Sequence, residues 1–275
     1  MSIVEAIILG IIQGLTEFLP VSSSGHIELG KAILGIKMQD PLLFSVVVHG
    51  ATALSTIVVF WKTIVDLFKG VLEFKWNYAT RYLFYIILSM IPVGIVGVFF
   101  EDKVEQFFEG QILLVGFMLI ITGILLYLTE KAKERTGEIT AKEAIIIGLA
   151  QAIAILPGIS RSGSTIATAL LLGVNRAEAA RFSFLMVLPP ILGATLLEAK
   201  KYYELSQGGI QDAVTSADAA PVSAAALIVG FIAAFVSGLL ACNWMIRLVK
   251  NAKLQYFAYY CFVVGTIAIG YKLFQ

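Results

Sequence analysis

A glutamate, a histidine and three consecutive serines fall within ten residues of one another in Glu17-x-x-Pro20-Val21-Ser22-Ser23-Ser24-Gly25-His26. Gln13 stands four residues before Glu17, so on a helix the two share a face. A helix starting in the serine run would turn the hydroxyls of Ser22, Ser23 and Ser24, and the amide of Gly25, toward an anion. His26 carries or delivers a proton near neutral pH. A second run, Pro157-Gly158-Ile159-Ser160-Arg161-Ser162-Gly163-Ser164-Thr165, has the same character with an arginine added. A guanidinium beside Ser160, Ser162, the Gly163 amide and Thr165 suits a two-point grip on phosphate.

These residues sit in a chain built for lipid. Of 275 residues, 59% are hydrophobic and 14% charged, with mean hydropathy +0.88, where soluble domains carry roughly 25% charge. Six runs have the length and character of spans, at 42–61, 81–100, 112–129, 182–199, 222–246 and 255–273. Two more apolar segments, 3–35 and 143–174, are interrupted by the serine-rich runs. The N-terminal MSIVEAIILG has neither a basic n-region nor a small-residue cleavage site, so its apolar segment is expected to be retained. Net charge of +1 leaves no basic excess for nucleic acid. Cys242 and Cys261 lie inside apolar spans and read as packing groups.

Residues 5–25 align without a gap to 143–163, with nine of 21 positions identical, and the same offset of 138 pairs Phe44-Ser45 with Phe182-Ser183. The chain therefore reads as two halves, 1–137 and 138–275, each an interrupted segment followed by three spans. An odd number of spans inverts the second copy. Inverted repeats bring their discontinuous segments to mid-membrane, where irregular backbone must be enclosed by protein or water. The expectation is an all-α polytopic protein with six transmembrane helices and two re-entrant hairpins, 3–35 and 143–174, whose tips meet. Thirteen of the twenty basic residues fall in 62–81, 130–142, 176–181 and 247–253, which predicts that side to be cytoplasmic. Both termini, the Glu101–Glu109 loop, the 200–221 loop and the mouth of the site would then face outward. Arg161 is the one basic residue at membrane depth. Placing it there costs roughly 2.5–3.5 kcal/mol, so a partner is required.

Plainer readings exist for each part. Ser and Gly runs can serve close helix packing, Glu17 can be no more than the ion-pair partner of Arg161, and His49, in VVVHGATA, reads as a membrane histidine satisfied locally. Packing alone does not account for both tips together.

The stretches GLTEFLPVSSSGH at 14–26 and PGISRSGST at 157–165 resemble the two signature motifs of the bacterial undecaprenyl-diphosphate phosphatase family associated with bacitracin resistance, and the resemblance spans essentially the whole chain. It implies a multi-pass plasma-membrane enzyme that hydrolyses undecaprenyl diphosphate to undecaprenyl phosphate and so recycles the lipid carrier of cell-wall synthesis. It also implies that Glu17, Ser23, His26 and Arg161 serve catalysis or phosphate binding, with Mg²⁺ or Ca²⁺ as cofactor. The first member of the family's acidic pair is Glu in some members and Gln in others. Here it is Gln13, which leaves Glu17 as the principal metal-facing or proton-handling anion. The attacking group stays open among Ser23, His26 and water. Expected partners are the prenyl diphosphate lipid and the bilayer, and oligomeric state is open between monomer and homodimer. The rival from another class is a transporter or flippase of a prenyl-phosphate lipid, which the architecture alone would favour. An intramembrane serine protease explains Arg161 poorly.

Overall fold

The computed structural model describes residues 1–36, 41–99, 111–131, 136–207, 222–250 and 254–274. The expectations for Glu101–Glu109 and for 208–221 lie outside them. Within the described residues the chain is helical: α1 (Ile3–Phe18), α2 (Ser23–Leu34), α3 (Pro41–Val59), α4 (Trp61–Val71), α5 (Tyr78–Phe99), α6 (Ile112–Leu128), α7 (Ala141–Ile153), α8 (Arg161–Leu171), α9 (Arg176–Met186), α10 (Leu188–Gln207), α11 (Ala224–Lys250) and α12 (Gln255–Leu273).

The burial pattern suits a membrane. Leu196, Leu240, Ile228 and Ile267 are exposed, whereas Gln13, Thr52, Ser160, Thr165 and Gln151 are buried. Among the described residues four helices are long and apolar enough to cross, at Tyr78–Gly97, Arg176–Leu197, Ala224–Val249 and Gln255–Leu273. The bent pair Leu43–Val59 and Trp61–Val71, with 73° between its axes, makes a fifth if taken as one span. The six expected spans are thus met in part. Ile112–Leu128 has only 17 residues, about 26 Å of helix, at the short end of what a bilayer requires. The run at 182–199 is divided between α9 and α10, which break at Val187 ahead of Pro189 and Pro190.

The two interrupted segments are helix–turn–helix hairpins, α1–α2 and α7–α8, with matching local chemistry. Ser2 and Glu5 form a capping box on α1, and Thr140 and Glu143 form one on α7, at positions 138 apart. Ser22 caps α2 by accepting from the Gly25 amide, and Ser160 caps α8 by accepting from Gly163. The paired hydroxyls recur too, Ser22 with Ser24 at 3.4 Å and Ser160 with Ser162 at 3.3 Å.

Close helix packing holds the hairpins. A Cβ on Gly14 of α1 would stand 2.0 Å from Ser237 Oγ and 2.4 Å from the Ala234 carbonyl of α11, so only glycine permits that approach. Phe18, Phe60 and Phe184 form an apolar wall beside the first tip, with Phe18 and Phe184 edge to face at 5.8 Å. Cys242 and Cys261 are free and buried.

Candidate active site

The serine-rich breaks deliver two helix N-termini, those of α2 and α8, to one place, and each tip touches the other. A Cβ on Gly25 would lie 3.1 Å from Gly158 Cα, and one on Gly163 would lie 3.2 Å from Pro20 Cβ. Ser162 Oγ donates to the Leu19 carbonyl at 3.1 Å. Each tip is also held by a further helix, α6 for the second and α12 for the first. Thr122 of α6 accepts from the Ser160 amide at 3.0 Å and donates to the Gly158 carbonyl at 3.2 Å, while Cys261 of α12 donates weakly to the Pro20 carbonyl at 3.8 Å. The sharp turn of the second tip is carried by Gly158 at φ +96°. The first tip has no glycine there, and Ser22 takes the strained φ of +70°.

Glu17, near the end of α1 and 5% exposed, is the hub. Its Oε1 is ion-paired to Arg161, the first residue of α8. Its Oε2 accepts from Ser23 Oγ at 2.7 Å and from Gln13 Nε2 at 2.9 Å. Arg161 therefore has an ion-pair partner, and Ser23 has a carboxylate in position to take its proton.

His26 points elsewhere. The Ser22 carbonyl can only accept, so His26 Nδ1 is the protonated nitrogen and donates to it at 2.8 Å. Nε2 lies 2.8 Å from the Tyr260 hydroxyl, and the two rings stack with centroids 5.6 Å apart. The structure brings Gln13, Glu17, Ser23 and Arg161 together and gives His26 a different set of contacts. Thr165 stands one turn behind Arg161, donating to its carbonyl at 2.9 Å and sharing a hydrogen bond with Ser183.

Four neighbours were not assigned to the site from the sequence. His49 Nδ1 donates to the Ser45 carbonyl at 2.8 Å, which turns Nε2 to within 3.7 Å of Glu17 Oε2. It is satisfied locally on one nitrogen, as expected, but the other faces the hub. Thr52, Thr56 and Ser183 line a partly open cavity together with Glu17, Arg161, Phe18, Phe184, Val187 and Ile191. The lining mixes charged, hydroxyl and apolar side chains, which suits a ligand with both polar and apolar parts.

Among the described residues no three His, Cys, Asp or Glu side chains converge. The donors are the Glu17 carboxylate and Gln13 Oε1, a buried oxygen with no hydrogen-bond partner. A magnesium-type ion is commonly held by one or two carboxylates together with substrate phosphates. Gln13 turns its nitrogen to Glu17, so the pair would hold such an ion only together with the phosphates of a ligand and with the Gln13 amide turned over.

Comparison with known proteins gives a consistent result. Residues 6–267 match the family model described as bacitracin resistance protein BacA. A protein of Bacteroides fragilis is 55% identical over 266 residues, covering 96% of each chain, and one of Christiangramia forsetii is 55% identical over 277 residues, covering both completely. A more distant relative from Methanobrevibacter smithii is 39% identical over 97% of this chain and 96% of its own. All three are named undecaprenyl-diphosphatase.

Proposed function

The chain belongs to the bacitracin resistance protein BacA family, and from that premise we propose that it hydrolyses undecaprenyl diphosphate to undecaprenyl phosphate and inorganic phosphate within the bilayer. The observation that carries the reading is the meeting of Arg161, Glu17 and Ser23 from two hairpin tips, with Glu17 and Arg161 lining a cavity that apolar side chains also line. A lipid diphosphate supplies both halves of what that cavity accepts.

The incoming diphosphate draws Arg161 from Glu17 and takes its place opposite the guanidinium, with the α8 N-terminus and the Ser160 and Ser162 hydroxyls behind it. Freed of its cation, the Glu17 carboxylate accepts the Ser23 proton as Ser23 Oγ forms a bond to the terminal phosphorus. The bond from that phosphorus to the bridging oxygen breaks, and the prenyl monophosphate leaves with the bridging oxygen and its electron pair. Water then cleaves the phosphoserine, releasing inorganic phosphate and returning the proton to Ser23. Arg161 opposes the charge that builds on the transferring group. A divalent cation arriving with the diphosphate would be held mainly by the phosphate oxygens, with Gln13 Oε1 and one Glu17 oxygen beside it, and would neutralise phosphate charge while the other Glu17 oxygen keeps Ser23. His26 braces the tip through the Ser22 carbonyl, and Gly25 and Ser24 complete the α2 end of the cradle.

The two hairpins are read as inverted copies with the site open to the outer face, and the Lys- and Arg-rich side as cytoplasmic. The flippase alternative has the broken helices in its favour, but it leaves the Ser23–Glu17 hydrogen bond without a task.

The test is inorganic phosphate release from farnesyl or undecaprenyl diphosphate by purified protein, with and without EDTA, beside Arg161→Ala. Metal-dependent release that disappears in the variant supports the reading. No release by folded protein under any metal condition removes it.

A further inference from the structure

One amphipathic element takes no part in the site. α3 has 19 residues, roughly 28 Å of helix, enough to reach across a bilayer's hydrocarbon unaided. The chain then bends by 73° into α4. With spans tilted by about 20° on average, α4 lies within roughly 40° of the membrane plane.

Its sequence, WKTIVDLFKGV, divides among three faces. Ile64, Leu67 and Val71 pack on the protein core. Trp61, Phe68 and Leu72, at i, i+7 and i+11, form a second apolar stripe that is exposed. Lys62 and Lys69 border that stripe and are exposed as well. The following turn continues the pattern. Asn77 fixes it by donating to the Gly70 carbonyl at 2.7 Å and accepting from the Thr80 amide at 3.0 Å. Phe74 is held at φ +51° with 92% of its surface exposed, a conformation that costs a non-glycine residue energy without burying its ring. Trp76, also exposed, packs edge to face on Phe84 at 5.9 Å.

We propose that α4 and the 72–78 turn form an interfacial platform that lies on one leaflet and binds the headgroups of anionic phospholipids. Trp61, Phe68, Phe74 and Trp76 enter the boundary between headgroups and acyl chains, where aromatic residues concentrate. Lys62, Lys69 and Lys75 meet the anionic headgroups above it. The occupant is lipid and not a protein partner because basic residues edge an exposed aromatic stripe on a helix that turns out of a span, the pattern of an interfacial helix.

The test needs no enzymatic readout and stands apart from the phosphatase reading. In a Trp244→Phe background only Trp61 and Trp76 of the three tryptophans remain. The protein is placed in phosphatidylcholine vesicles, with and without phosphatidylglycerol, carrying bromine at shallow or deep acyl positions. Strongest quenching by shallow bromine is expected, whereas no quenching, or stronger quenching by deep bromine, overturns the platform. Phosphatidylglycerol retained after detergent exchange, counted by mass spectrometry, falls about fivefold for each lysine removed in Lys62→Gln and Lys69→Gln. Undiminished retention in the double variant overturns the headgroup assignment. If that variant does not purify as a single species, Lys62→Gln alone carries the same comparison.

Discussion

Arg161, at the start of α8, is ion-paired to Glu17, near the end of α1, across 144 residues of sequence. The pair ties the two hairpins together. It also means that neither charge is free until a ligand competes for one of them. In the proposed mechanism binding and activation are one event, because the anion that engages the guanidinium frees the carboxylate that already accepts from Ser23.

Replacing Arg161 with Ala lowers kcat by about 10²- to 10³-fold, as removal of a transition-state donor does. Arg161→Lys is also severely impaired, since a point charge lacks the planar two-point grip. Steady-state phosphate release, with size-exclusion profiles to confirm folding, checks both. Wild-type-like kinetics in the lysine variant would mean that Arg161 is structural.

Attack by Ser23 leaves its phosphate in an acid-stable linkage. Rapid quenching with labelled diphosphate should place label on the peptide containing Ser23 and none on Ser23→Ala. An acid-labile adduct on the same peptide would transfer the role to His26, and no adduct at all would point to water.

Glu17→Gln retains the shape of the hub and loses its basicity, and the rate falls by about 10²- to 10⁴-fold. EDTA abolishes wild-type turnover, and titration with Mg²⁺ or Ca²⁺ restores it. Gln13→Leu, which removes the unpartnered amide oxygen, raises the cation concentration needed for half-maximal rate.

Tyr260→Phe deletes a single neutral hydrogen bond to His26 while keeping the stacked ring, so turnover changes by no more than about tenfold. His26→Ala also removes the brace on the strained Ser22 turn and is the more damaging of the two. Equal effects in a side-by-side rate comparison would contradict this division.

Gly14→Val places side-chain atoms where α11 already stands, 2.0 Å from Ser237 Oγ at the Cβ alone. Thermal unfolding in detergent should show a loss of about 1–3 kcal/mol or more. The same change at Gly94, where an added Cβ would meet nothing within 4 Å, is the control.

The tips were legible because each breaks a strong pattern: serine, glycine and proline interrupt apolar periodicity, and Arg161 stands where a charge is costly. Each interrupted segment is split at its serine-rich run into two helices, α1 and α2 in the first and α7 and α8 in the second. His49, Thr52 and Thr56 were harder to see because a hydropathy window averages them into the 42–61 span. A signal was available, since Ser45, His49, Thr52 and Thr56 recur at i, i+4, i+7 and i+11, one polar stripe on an apolar helix. Ser183 had a weaker one, as the repeat partner of Ser45. The directions of His26 and Ser23 could not be read in advance. Residues three apart in a tip face places set by Tyr260 and Glu17, one 234 residues and the other six residues away.

The offset that aligns the two copies sets Glu17 against Ile155 and Ser23 against Arg161. A protein assembled from two identical first halves would present two carboxylates and two serines with no guanidinium between them. One assembled from two second halves would carry a pair of facing arginines and nothing to neutralise them. Neither tip carries the set alone: the carboxylate and hydroxyl of Glu17 and Ser23 come from one and the guanidinium of Arg161 from the other, so the site exists only where the two unlike tips meet.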